Sequence, residues 1–237
     1  MLRLHKLKVL KVCKVESIVL LLYIIFTLFK HIFCVIFINP CLPVGRCVIN
    51  VMKQRIFLAF RIRNEEIVKE LQAVQKKLEN LNKKAHITWS KSRSFHITLE
   101  FLGEINDVEL AKLKEITLEI VNKYHKFKFW LDRLDGFPNQ TSAKIINIRV
   151  GEEGKIAESL QGDLVYAFKE NNLVKEIEPW KAHITLARNR GEHLIQGFNT
   201  ISFEKKVFEI ATVDIIKSDS EFGGAKYTTL ESYELAS

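Results

Sequence analysis

The chain has 237 residues, 47% of them hydrophobic and 27% charged, a balance that fits a folded protein of one domain or two small lobes and excludes a disordered chain. Its net charge of +8 is lopsided: Arg3, Lys6, Lys8, Lys11, Lys14, Lys30 and Arg46 face Glu16 alone, so from Met52 onward 29 basic residues meet 27 acidic ones. That near balance excludes the broad basic field of a high-affinity duplex binder, and four cysteines that all precede Met52 exclude a disulfide framework or a cysteine metal site in the remainder.

Residues 1–51 read as a basic, apolar N-terminal extension. Its first apolar run, Ser17 to Phe29, is 13 residues, and no small-residue cleavage pattern follows it. Extended through Lys30 and His31 to Ile38 the stretch reaches 22 residues, enough to cross a bilayer if those polar groups are tolerated. Two readings stay open: a membrane anchor over residues 17–38, or an upstream extension ahead of a chain that starts at Met52. The first places the protein at a membrane; the second gives a cytoplasmic protein, the expected location.

From Met52 the expected elements alternate. "QRIFLAFRI" reads as a strand, and "NEEIVKELQAVQKKLENLNKK" as a helix with Asn64 as cap and Ile67, Leu71, Val74, Leu78 and Leu81 along one face. "HITW", the polar "SKSRS" and "FHITLEFLG" read as a hairpin with a five-residue loop. A second helix, "NDVELAKLKEITLEIVNKY", precedes two strands, "FKFWLDRLDGFP" and "AKIINIRVG", joined by a turn. A third helix, "KIAESLQGDLVYAFKENN", leads to three strand-like stretches, "AHITLAR", "KKVFEIATVDIIKS" and "KYTTLESYEL". The order predicts an α+β domain over residues 52–237, with mainly antiparallel sheet and helices packed outside.

One regularity organises this stretch. The triplet His-Ile-Thr occurs at His86, His96 and His183, where seven histidines and ten threonines would give about 0.3 copies of any H-x-T pattern by accident. The last two copies continue as "HITL", 87 residues apart. They look like equivalent positions in two related lobes, which predicts a bilobal, pseudo-symmetric arrangement around a central cleft.

Side chains alternate along a strand, so His96 and Thr98 face one way while Ile97 and Leu99 face the other; His183 and Thr185 share a face in the same manner. If two such strands meet at a cleft, two imidazoles and two hydroxyls converge on one small anion. Imidazole titrates near pH 6.5, so a pair supplies one base and one acid for displacement at phosphorus, and the hydroxyls can donate to the non-bridging oxygens. No metal or other cofactor is required, and no H-x-x-x-H spacing or carboxylate cluster offers a metal site. His86 lacks a matched strand and ends in the bulky "HITW", so it reads as a structural or surface neighbour.

On these motifs the chain resembles the two-histidine phosphoesterases, specifically the RNA 2′,3′-cyclic phosphodiesterases also described as 2′-5′ RNA ligases. The matching stretches are "RIFLAF", Trp89, "FHITLEFLGE", "LDGFPN", "KAHITLAR" and "DIIKSDSEFGGAKYTTLESYEL". The resemblance implies that His96 and His183 are the catalytic pair and that Thr98 and Thr185 hold the phosphate. It further implies that His183 accepts a proton from water while His96 donates one to the departing ribose 3′-oxygen. Arg188 falls where the family often has a basic residue, although strand parity turns it away from His183 unless the strand bends or ends near Ala187.

Phe57 is a base-stacking candidate, with Phe60 as a second aromatic and core packing expected for at least one of them. Lys144, Lys181 and Arg190 read as solvated charges that could line the cleft. The implied partner is RNA with a 2′,3′-cyclic phosphate end, or a cyclic nucleotide, acted on by a monomer. Hydrolysis to a 2′-phosphomonoester is the leading activity. The alternatives are 2′-5′ ligation of tRNA halves and a non-catalytic RNA-end or nucleotide-binding module.

Overall fold

Three helices begin where polar side chains satisfy the first free N–H groups. In the computed structural model, which describes residues 52–176, 179–221 and 224–237, α1 (Glu65–Leu81) starts at Asn64, whose side chain accepts from the Glu66 and Ile67 amides. α2 (Asp107–Val121) starts with a capping box between Asn106 and Glu109. At α3 (Ile156–Glu170) no capping side chain sits at the N-cap; instead the Glu152 carboxylate accepts from the Ala157 and Glu158 amides. The anchor reading and the extension before Met52 both lie outside the described residues. Among those residues, no helix is long and apolar enough to cross a membrane.

The strands are β1 (Gln54–Arg61), β2 (Ile87–Trp89), β3 (His96–Ile105), β4 (Phe127–Phe137), β5 (Ile145–Glu152), β6 (His183–Asn189), β7 (Val207–Ile210), β8 (Thr212–Glu221) and β9 (Gly224–Glu234). Among the described residues they form one sheet in the order β7-β4-β5-β6-β3-β1-β8-β9, with β2 paired to β6, and every ladder between them is antiparallel. The fold is α+β, as expected. Its two halves, β7-β4-β5-β6 and β3-β1-β8-β9, meet where β3 and β6 pair at Ile97 and Ile184.

The halves share a register. In the first, Arg61 stands across from His96, Phe60 from Ile97 and Ala59 from Thr98. In the second, Arg149 stands across from His183, Ile148 from Ile184 and Asn147 from Thr185. The pseudo-symmetry expected from two tetrapeptides is thus carried by two matched strand pairs.

The helices cover one face of this sheet. Ile67, Leu71, Val74 and Leu78 of α1, Leu113, Ile116 and Ile120 of α2, and Leu160, Leu164 and Phe168 of α3 join Phe60, Ile97, Ile148, Ile184 and Leu186 in one apolar core. Ile97 and Ile184 are fully buried, and each such side chain contributes roughly 1.5–3 kcal/mol on leaving water. The opposite face carries the alternate residues of β1, β3, β5 and β6.

Two local expectations are corrected. β2 does not form a hairpin with β3; it pairs with the far end of β6, Ile87 with Asn189 and Trp89 with Ala187. β6 runs on past the start of β3, where the chain turns through a short 3-10 helix at Ser92–Ser94, and β2 satisfies the backbone groups left open there. The stretch "KKVFEIATVDIIKS" is two strands, because β7 pairs with β4 at one edge while β8 pairs with β1 in the other half.

Candidate active site

The identical triplets lie on neighbouring strands. Counting outward from the Ile97–Ile184 pair, His96 stands across from Thr185 and Thr98 across from His183. Directly opposed side chains on an antiparallel pair have Cβ atoms about 4.5–5.5 Å apart. Two imidazoles and two hydroxyls therefore alternate around one small patch of the open face, while Ile97 and Ile184 anchor its back in the core.

Both imidazoles are oriented by their own chain. His96 Nδ1 lies 2.6 Å from the Ser94 carbonyl oxygen, and His183 Nδ1 lies 2.7 Å from that of Lys181. A carbonyl only accepts, so each Nδ1 carries the hydrogen and each Nε2 is left to act as base, or as acid once protonated. Burial, the largest cause, pulls the His96 pKa down to about 4; His183, Arg61 and Arg188 add repulsion, against the Ser94 hydrogen bond. His183 is lowered too, by burial and then by Arg149 and Arg188, against its bond to Lys181. Both shifts favour the neutral form of the rings.

Arg188 is the cation felt by both rings, although regular alternation would turn it away from His183. The ladder between β5 and β6 explains the reversal: Asn147 pairs with Thr185 and Ile146 with Ala187, so Leu186 is an extra residue, a β-bulge. Leu186 and Ala187 both turn into the core, and Arg188, exposed, returns to the face of His183. β3 repeats this: Ala59 pairs with Thr98 and Leu58 with Glu100, which skips Leu99 and brings Phe101 back beside Phe57, 5.5 Å between ring centroids.

Glutamine side chains add hydrogen bonds to backbone carbonyls at both bulges. Gln75 of α1 donates to the Leu186 oxygen at 2.9 Å and to Ser90 at 2.9 Å. Gln161 of α3, itself buried, donates to the Leu99 oxygen at 3.4 Å. Trp180 Nε1 donates to the Thr98 oxygen at 2.8 Å. Each half's helix thus braces the other half's His-Thr strand.

Aromatic rings wall the patch on both sides. Phe57 lies 5.1 Å from the His96 ring and Tyr227 meets that ring edge-on at 5.3 Å. Phe137 meets His183 edge-on at 4.9 Å and carries the Arg149 guanidinium over its ring at 5.6 Å. Phe57 is 2% exposed, so it has no open face on which a base could stack, and that expectation is corrected. Phe101, 58% exposed, presents the open aromatic face instead. Sequence reasoning missed Phe101, Arg61, Arg149 and Tyr227; the five-residue spacing from His96 to Phe101 and from His183 to Arg188 was the available signal.

The remaining candidates fall outside the patch. His86 is exposed just before β2, and its carbonyl accepts from the Arg190 amide. Phe60 is fully buried in the core. Lys144 Nζ donates to the Gly191 oxygen, and Lys181 enters the site through its backbone carbonyl alone. Among the described residues, no group of three or more His, Cys, Asp or Glu side chains is placed to hold a metal ion.

Comparison with known proteins gives a consistent result. Residues 62–146, which include the first tetrapeptide, match the family described as LigT like Phosphoesterase. The chain is 27% identical over 134 residues to the RNA 2′,3′-cyclic phosphodiesterase of Archaeoglobus fulgidus, covering 56% of this chain and 72% of that protein. It is 28% identical over 151 residues to the protein of the same name from Geobacillus stearothermophilus, covering 62% of this chain and 48% of that one. The crystal structure of TT0787 of Thermus thermophilus superposes with a TM-score of 0.67 at 22% identity, over 76% of this chain and 97% of that one, and shares the fold.

Proposed function

We propose that this chain, which is similar to the LigT-like phosphoesterases over residues 62–146, hydrolyses the 2′,3′-cyclic phosphate at an RNA end to a 2′-phosphomonoester. The observation that carries the reading is the pair of His-Thr strands side by side, each imidazole held through Nδ1 so that Nε2 is the free nitrogen.

In this mechanism His183 Nε2 removes a proton from a water as its oxygen bonds to phosphorus. The bond from phosphorus to the ribose 3′-oxygen breaks, and His96 Nε2–H gives that oxygen its proton. Water is consumed, the 2′-ester stays intact and the charges balance. The assignment of roles comes from the family resemblance.

Thr98, Thr185 and Arg188 hold the non-bridging oxygens, where charge grows in the transition state. The bound phosphate also acts on the proposed acid. Its negative charge raises the pKa of His96 from about 4, so binding draws in the proton that the leaving group needs.

The test is turnover of adenosine 2′,3′-cyclic phosphate in the presence of chelator. His96→Ala and His183→Ala are each expected to lower kcat by several orders of magnitude, and His86→Ala to leave it near wild type. A loss with His86→Ala as large as that with His96→Ala would falsify the assignment.

A further inference from the structure

We infer that the cavity beside His96, bounded by Arg61, Lys91, Arg93 and Lys226, receives the phosphodiester one step upstream of the reacting end. The preferred substrate is then an oligoribonucleotide ending in a cyclic phosphate, rather than a free cyclic mononucleotide. This rests on the reaction proposed above and adds a second anion site to it.

The cavity has a volume of about 170 Å³ and shares its walls with the candidate active site. Tyr227, which lines it, stands edge-on to the His96 ring; Ser94, which also lines it, holds His96 Nδ1 through its carbonyl. Arg61 stands across from His96 in the ladder. A chain fixed by its end at His96 therefore has this cavity as its neighbour.

The charge of the walls is one-sided. Among the described residues that line the cavity, Arg61, Lys91 and Arg93 join Lys226 and none is Asp or Glu, although the chain from Met52 onward carries a surplus of only two positive charges. The Arg61 guanidinium donates to neutral acceptors, the Thr229 hydroxyl at 2.9 Å and the Arg93 carbonyl, which fix its direction without cancelling its charge. Cations gathered around a small hollow repel one another, and an anion with several acceptor oxygens relieves that repulsion.

The proposed roles set the direction. His96 protonates the ribose 3′-oxygen, so the ribose lies on the His96 side, and the 5′-phosphodiester on that ribose is the nearest further anion. The cyclic phosphate of a mononucleotide occupies the His-Thr patch and leaves this cavity empty.

The experiment compares adenosine 2′,3′-cyclic phosphate, a dinucleotide ending in the same group, and that dinucleotide with its linkage replaced by a neutral methylphosphonate. Wild-type protein and Lys91→Ala/Arg93→Ala are both used; the alanine at 93 keeps the carbonyl that holds Arg61. The wild type is expected to favour the charged dinucleotide by about tenfold or more in kcat/KM, mainly through KM. The methylphosphonate, or the double substitution, is expected to remove most of that preference, with mononucleotide turnover within about twofold of wild type. An equal preference for charged and neutral dinucleotides, or a preference retained in the double variant, would overturn the subsite. If no cyclic phosphate is turned over, the reaction itself fails; calorimetric binding of the charged dinucleotide then decides the cavity separately. Binding weakened by the double substitution upholds the cavity, and unchanged binding rejects it.

Discussion

Leu99 and Leu186 occupy the same place in the two halves of the sheet: each follows a His-Ile-Thr triplet, and each is passed over by the ladder of the neighbouring strand. The consequence is that Phe101 and Arg188, five residues after their histidines, come back to the face that the histidines occupy. One half thereby presents an open aromatic ring and the other a guanidinium.

Phe101→Ala is expected to raise KM for a cyclic nucleotide about tenfold with little change in kcat, since stacking a base on an aromatic is worth roughly 1–3 kcal/mol. Arg188→Ala is expected to lower kcat/KM about 10- to 100-fold, with only partial recovery in Arg188→Lys, because an ammonium lacks the planar fork. Steady-state kinetics on the purified variants checks both. An Arg188→Ala enzyme with wild-type kcat/KM would refute the placement of Arg188 at the phosphate.

The two bulges are braced unequally, and their stabilities should differ accordingly. Gln75 makes two bonds at 2.9 Å, whereas Gln161 reaches Leu99 at 3.4 Å. Gln75→Leu is expected to lower the unfolding free energy by roughly 1–3 kcal/mol, and Gln161→Leu by less. Urea denaturation of the two variants measures the difference, and the reverse order would contradict the bracing.

The pH dependence of stability follows from His96. Its folded pKa, about 4, lies below the ordinary 6.5, so the unfolded chain binds the proton more readily. The stabilising preference for the neutral ring is complete above pH 6.5 and is lost as the pH falls toward 4, a change on the order of 3 kcal/mol. His96→Gln is expected to flatten that part of the profile in denaturation experiments between pH 7 and 4. Inorganic phosphate should bind with proton uptake and more tightly at pH 5.5 than at pH 7.5, which calorimetry in buffers of different ionisation enthalpy detects. Phosphate binding without proton uptake would exclude the proposed acid.

Two glycines should respond oppositely to alanine. A Cβ at Gly151 would lie 2.4–2.6 Å from the Trp130 indole, so Gly151→Ala is expected to destabilise by roughly 1–3 kcal/mol. At Gly162, inside α3, a Cβ would meet nothing within 4 Å, and Gly162→Ala should stabilise by roughly 0.5–1 kcal/mol through the lost freedom of the unfolded chain. Thermal melts of the two variants should move in opposite directions.

Much of the fold was legible in order. The caps at Asn64 and Asn106 and the apolar spacing of Ile67, Leu71, Val74 and Leu78 are local properties, and they place α1 and α2 where the sequence predicts them. The pairing of His96 with Thr98, and of His183 with Thr185, on one face was legible for the same reason, since alternation over three residues needs only an extended backbone. The partner of β2 was not, because the hydrogen bonds that fix it come from β6, about a hundred residues further along.

By itself, then, the sequence determined which residues share a strand face near each histidine and which spacings make helices, because these depend on neighbours a few positions away. The tertiary structure alone decided that the two triplets adjoin in one sheet, that Phe57 is enclosed while Phe101 is open, and that Arg188 faces the imidazoles. Those outcomes depend on ladder register, and register is set by the strand across the gap and by the helix that supplies hydrogen bonds at the bulge.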